Sequence, residues 1–158
     1  MAFLIIVLLA VGLWMESLPN DYPGKYDVYA LHKSFGVIAL AFIIFRLSVR
    51  MRSKIPALPK NITKFDASLA AATVVLLYVC MFAMPLSGYL MSTFGGHPVQ
   101  LFGIPLPSLF SENMEAAKFN RMIHGYAGYG LIAIIVLHIL GSFKHLLVEK
   151  VNLFKRMW

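Results

Sequence analysis

The sequence predicts an all-α integral membrane protein, an antiparallel four-helix bundle with both termini in the cytoplasm. Three observations predict it. Hydrophobic residues make up 59% of the 158, and charged residues only 13%, which is about half the usual globular share. A soluble domain of this size cannot bury so much apolar side chain. Four segments, 1–18, 31–49, 68–94 and 123–147, approach the roughly 20 apolar residues that a spanning helix needs. The net charge of +7 is also unevenly spread. Arg50, Arg52, Lys54, Lys60 and Lys64 lie between the second and third segments, and Lys144, Lys150, Lys155 and Arg156 follow the fourth. The other two connections carry mixed charge, so the positive-inside rule places both ends inside. The basic balance reflects topology and anionic lipid, and no nucleic-acid motif accompanies it.

The elements follow in order, as one domain over 1–158 with helices at about 1–18, 29–50, 66–94 and 119–148. The first segment is apolar from its first residue. It lacks the basic start and small-residue cleavage site of a signal peptide. It is slightly short for a span and reads as a helix whose beginning has been cut away. Trp14 suits the outer interface, and Pro19 with the stretch Asn20 to Gly24 makes an outer turn. Helix two begins near Tyr29, and Pro56 and Pro59 mark the inner loop. Helix three runs through Tyr78 to about Phe94 with Pro85 inside it. Proline there removes a backbone donor and predicts a kink. The outer loop from Gly95 stays fairly apolar, through Val99, Leu101, Phe102, Ile104, Leu106, Leu109 and Phe110. It is expected to lie on the membrane surface as a cap. Helix four starts near Phe119. The single cysteine, Cys80, allows no disulfide within the chain, and no Cys-x-x-Cys-His is present for covalent haem; it reads as a packing residue.

The chemistry lies in the histidines. Ionisable groups at membrane depth are costly and count as functional candidates. His32 stands near the outer end of helix two and His124 near the outer end of helix four. They share a depth on antiparallel helices, so they can bind one iron from opposite sides. His138 follows His124 by 14 residues, which returns it to within about 40° of the same face and about 21 Å deeper. Two haems stacked across a bilayer need that arrangement. Bis-histidine coordination fills both axial positions and suits electron transfer rather than oxygen binding. Interhelical hydrogen bonding is the alternative for any one of these histidines. Zinc or di-iron would require carboxylates that the helices lack. Gly36, Gly128 and Gly141 each stand about one turn after a histidine. They either leave room for a porphyrin edge or let helices pack closely. His138 has no partner on helices two or three, and His145, on its own helix, cannot face it across an iron.

Together these features resemble the bacterial cytochrome b561 family of inner-membrane di-haem proteins. The resemblance covers nearly the whole chain: Gly12-Leu13-Trp14-Met15, His32 with Gly36, Arg46-Leu47, Met84-Pro85-Leu86-Ser87-Gly88, Leu101-Phe102-Gly103-Ile104 with Pro107, His124 with Gly128, and Leu137-His138. It implies two haems b, the outer one on His32 and His124 and the inner one on His138. The family's inner partner is a histidine in a His-Trp pair at the start of helix one, which would fall just before Met1. With Met1 as the true start, the inner haem would be five-coordinate or absent. Family members often carry a further histidine where this chain has Val74.

The resemblance also implies electron exchange between an outer donor, superoxide in some members, and quinone. Arg121 and Lys118 would draw an anion toward the outer haem edge or bind phospholipid phosphate. Arg46, 14 residues after His32, would pair with a haem propionate or a quinone oxygen. His145 matches a family histidine near a quinone pocket, although its setting in the sequence reads as exposed and basic. His97 reads as a loop residue. An alternative of another class is a cytochrome and membrane-anchor subunit of a larger dehydrogenase or hydrogenase. A third is a haem-free scaffold.

Overall fold

A computed structural model describes residues 1–53, 62–147 and 150. Pro56, Pro59, Lys54 and Lys60 of the inner loop, and Lys155 and Arg156, lie outside the described residues. Among the described residues there are four helices: α1 (Ala2–Ser17), α2 (Lys25–Arg52), α3 (Lys64–Phe94) and α4 (Met114–Leu147). A two-stranded antiparallel hairpin, β1 (Gln100–Leu101) and β2 (Ile104–Pro105), stands between α3 and α4. Helices α2, α3 and α4 are long and apolar enough to cross a membrane, and α1 is a shorter apolar helix. Consecutive helices pack on one another, most extensively α3 on α4. The burial pattern is that of a chain dissolved in lipid. Ile43 and Leu131 are 1% and 2% exposed at the centre, while Phe45 and Leu137 are 68% and 64% exposed on the rim. In water such a surface would drive aggregation; in hydrocarbon it costs nothing.

Two helices begin earlier than the apolar pattern predicts. Helix α2 starts at Lys25 rather than near Tyr29, directly after Gly24, whose φ of 80° closes the outer turn. The buried Lys25 ammonium donates to the Leu18 carbonyl at 2.7 Å and to Asn20 Oδ1 at 3.1 Å. That contact satisfies an orphan carbonyl at the end of α1 and ties α1 to α2. Helix α4 starts at Met114 rather than near Phe119. Asn113 Oδ1 accepts the backbone N–H groups of Glu115 and Ala116 at 3.1 and 3.0 Å, and Glu115 favours the positive end of the helix. The added turn is polar, so hydrophobicity does not report it. At 34 residues α4 is about 51 Å long, against a hydrocarbon layer of about 30 Å, and therefore extends beyond the bilayer.

Helix α3 begins with Thr63 as its cap. Thr63 Oγ1 accepts the Asp66 N–H at 3.1 Å and donates its hydrogen to Asp66 Oδ2 at 2.8 Å. The other carboxylate oxygen takes the Lys144 ammonium at 2.7 Å, which joins the inner ends of α3 and α4. Helix α3 continues through Pro85. The proline offers no N–H to the Met81 carbonyl one turn back.

The outer loop is more ordered than its composition foretells. Phe102 and Gly103 have φ of 49° and 90°, the two left-handed positions of a tight hairpin turn. A phenylalanine is strained there, and its neighbours hold it. Its N–H donates to Ser34 Oγ at 3.0 Å, and its ring meets Phe35 edge-on at 5.4 Å. The Ser34 hydroxyl hydrogen faces the carbonyls of Ala30 (2.9 Å) and Gln100 (3.0 Å). Tyr89 donates to the Pro107 carbonyl at 2.6 Å from the α3 side. The hairpin is thus clamped across the outer ends of α2 and α3. Ser34 is 2% exposed, and its loss leaves the Phe102 N–H and the Gln100 carbonyl without the partner it supplies. Ser34→Ala should cost about 1–3 kcal/mol. Amide exchange should quicken at residues 100–106 while the centres of α2 and α4 keep their protection.

Candidate haem site

Helix α2 carries His32 about two turns from its start, and α4 carries His124 about three turns from its own. The long overhang of α4 lets both reach the same depth on opposed helices. Their ring centres stand 6.4 Å apart with planes at 78°. A metal held between two imidazoles, with bonds of about 2.0 Å on each side, separates the ring centres by about 6 Å. Among the described residues no cluster of three His, Cys, Asp or Glu is placed to hold a metal ion. A zinc site needs three or four protein ligands; haem brings four nitrogens of its own and takes two axial imidazoles. The donor set therefore fits haem.

The ring of His124 is held by α3. Its Nδ1 lies 2.8 Å from the Met84 carbonyl oxygen and 3.3 Å from Ser87 Oγ. A carbonyl only accepts, so Nδ1 carries the hydrogen and Nε2 keeps its lone pair for a metal. This is the usual outer support of a ligating histidine. His32 differs: its Nδ1 is buried without a hydrogen-bond partner. Burying that nitrogen unpartnered costs free energy, which a strong bond at the other nitrogen would offset.

A cavity of about 820 Å³ opens beside the pair, within the range of cofactor pockets. Leu8, Leu9 and Gly12 of α1 form one wall, and Met84, Gly128 and Ile132 form the other. Its rim carries Lys25, Lys33, Lys118 and Arg121 with Glu16. Two glycines touch the rings. A Cβ on Gly88 would stand 3.1 Å from His124 Cε1, and one on Gly12 would stand 3.4 Å from His32 Cε1. Of the three glycines singled out by spacing, Gly36 and Gly128 behave differently. A Cβ on Gly36 would meet nothing within 4 Å, beside two small spaces that also reach both histidines. A Cβ on Gly128 would meet the Met84 methyl at 3.5 Å. Open space belongs to Gly36 and close packing to Gly128.

The other candidate residues are dispersed. His138 is half-buried on the inner half of α4, and its backbone carbonyl accepts Ser142 Oγ at 2.8 Å. Among the described residues His32 and His124 alone form a histidine ring pair. Arg46 is exposed on the inner half of α2. Arg121 lies on the cavity rim, 3.8 Å from Glu16 and largely exposed. His97, on the same rim, is exposed. His145 corrects the expectation of an exposed setting. It is 7% exposed, within electrostatic reach of Asp66 where α4 ends against the start of α3. Sequence reasoning missed the support given by Met84, Ser87, Gly88 and Gly12. Pro85 was the available signal, because a proline inside a helix marks a place where neighbouring groups must complete the backbone bonding.

The whole chain, residues 1–158, matches the family described as prokaryotic cytochrome b561. It is 30% identical to cytochrome b561 homolog 2 of Escherichia coli (strain K12), over 99% of this chain and 84% of that protein. The chain belongs to the prokaryotic cytochrome b561 family, and so is a haem b electron-transfer protein of a prokaryotic membrane. Gly36 offers a direct test of the site. Gly36→Val adds volume where the chain leaves space, so haem per protein should fall severalfold while helix content in detergent stays unchanged. An unchanged haem ratio would assign that space to lipid.

Proposed function

We propose that this cytochrome b561 family member carries electrons across the membrane from a donor at the outer surface to quinone, with His32 and His124 as axial ligands of an outer haem b. The observation that carries this reading is the 6.4 Å separation of the two rings. His138 is assigned one axial position of an inner haem on the same face of α4. Superoxide is the proposed donor. Two superoxide anions each lose one electron to become dioxygen, and one quinone gains both electrons with two protons to become quinol. Held by His32 and His124, a bound haem would supply a one-electron store.

The residues of the chain divide the remaining work. His124, fixed through Met84, presents Nε2 to the site. Leu8, Leu9 and Ile132 make the cavity walls apolar and exclude water. Lys33, Lys118 and Arg121 place positive charge at the rim, only partly offset by Glu16. Clustered cations at a low-dielectric mouth raise the local concentration of an anion. At the inner side Arg46 is proposed to hold a propionate or a quinone oxygen, and the buried His145 to face the quinone. The basic residues between α2 and α3 support a cytoplasmic inner face, and with it the bacterial inner membrane as the proposed location.

His32→Ala and His124→Ala should each remove the same low-spin component from the reduced-minus-oxidised spectrum, and His138→Ala should spare it. Spectra unchanged in all three variants would reject haem ligation and leave a helical scaffold. The donor is tested separately. Arg121→Glu should lower the rate of reduction by superoxide about tenfold at low salt, a difference that narrows as ionic strength rises. A purified chain that reduces no quinone analogue under superoxide, yet copurifies with a dehydrogenase, would favour the anchor-subunit role.

A further inference from the structure

The two proposed axial histidines are supported unequally. Both are half-buried between helices, but only His124 has oxygen atoms at its outer nitrogen. Ser87 is one of these and is 3% exposed. Its Oγ lies 2.5 Å from the Ala83 carbonyl, 3.1 Å from the Met84 carbonyl and 3.3 Å from His124 Nδ1. A hydroxyl has one hydrogen. The closest acceptor, the Ala83 carbonyl, takes it. The lone pairs of Oγ then face the Nδ1–H of His124, beside the Met84 carbonyl. Donation to Ala83 polarises the hydroxyl and makes its oxygen a better acceptor.

An imidazole whose Nδ1–H is drawn toward two oxygens carries more electron density at Nε2. A metal bound there gains a more basic ligand, which favours its more highly charged state. The neighbouring glycine belongs to the same device. With a side chain at position 88 the ring would have to retreat, because a Cβ there comes within 3.2 Å of Nδ1. Pro85, Ser87 and Gly88 therefore act together: one alters the backbone bonding, one supplies an acceptor, and one lets the ring approach.

We propose that Ser87 is a positioning residue that lowers the redox potential of the outer haem through His124. The proposal rests on the reading that His32 and His124 are the axial ligands. It assigns the tuning of the outer iron to the α4 side, since His32 Nδ1 has no acceptor.

The test uses the purified holoprotein in a redox titration, with low-temperature electron paramagnetic resonance of the same samples. The outer haem is identified as the component that His32→Ala removes. Ser87→Ala keeps the Met84 acceptor and favours helix, so haem should be retained and remain low-spin. Poised at the midpoint of the unaltered protein, the outer component should shift about threefold toward the reduced form, the scale of one weak hydrogen bond. Ser87→Thr should restore the original ratio, and the resonance line shape should follow the same order. An unchanged ratio and line shape in Ser87→Ala, with haem retained, would overturn the proposal. Should Ser87→Ala lose haem, Ser87→Cys decides: an intermediate shift supports the proposal, and no shift overturns it. If His32→Ala and His124→Ala leave the spectrum intact, the ligand assignment itself has failed, an outcome distinct from the failure of Ser87.

Discussion

An imidazole at membrane depth must find a partner, because hydrocarbon offers none. Much of the architecture follows from meeting that demand twice at one place. His124 meets half of it with a carbonyl from α3, which requires α3 and α4 to pack closely along their length. His32 Nδ1 has no such acceptor, so the cost of burying it must be offset elsewhere. The 6.4 Å gap is therefore more than a distance between two side chains. With the two rings as the proposed ligands, a porphyrin iron would bond the inward nitrogen of each, and on the His32 side that bond would offset the unpartnered Nδ1.

The surroundings of the pair are arranged around that slot. Helix α1 lies along α2 and contributes Gly12, which lets the His32 ring stand against it. On the opposite side Val99 is buried over the small space shared by His32 and His124. The hairpin behind Val99 is held by Ser34, two residues beyond His32 on the same helix. One short stretch of α2 therefore presents His32 toward the cavity and a clamp toward the loop. A movement of the hairpin would be felt at His32, because both are fixed to the same turn of helix.

The sequence made the candidate ligands legible for a simple reason. A histidine in an apolar run stands out, and helical geometry converts its position into depth and face. His32 and His124 were matched by depth, and the ring pair confirms that they meet. The supporting residues were not legible, since the contact between Met84 and His124 is made by a backbone atom. Glycine spacing left two alternatives, and the structure holds both: Gly36 faces open space and Gly128 packs on Met84, while Gly12 and Gly88, on other helices, touch the rings. Helix starts at Lys25 and Met114 were hidden because their first turns are polar and owe their form to Gly24 and Asn113. The hairpin turn depends on Phe102 adopting a positive φ, which no local preference announces. His145 was misjudged because basic neighbours along the chain imply exposure, while α3 covers it in space.

The ring pair joins the second helix to the fourth, and this fixes an order of events in the cell. A ribosome delivers α2 long before α4. Until α4 has entered the bilayer, His32 has no opposing imidazole, and the wall formed by Gly128 and Ile132 is missing. With the two rings as the proposed ligands, a nascent chain would offer the cofactor one weak bond at most. Capture would become strong only once α4 is in place. Haem loading would then report the insertion of α4, and a protein stalled or clipped before it would leave the insertion machinery without its prosthetic group.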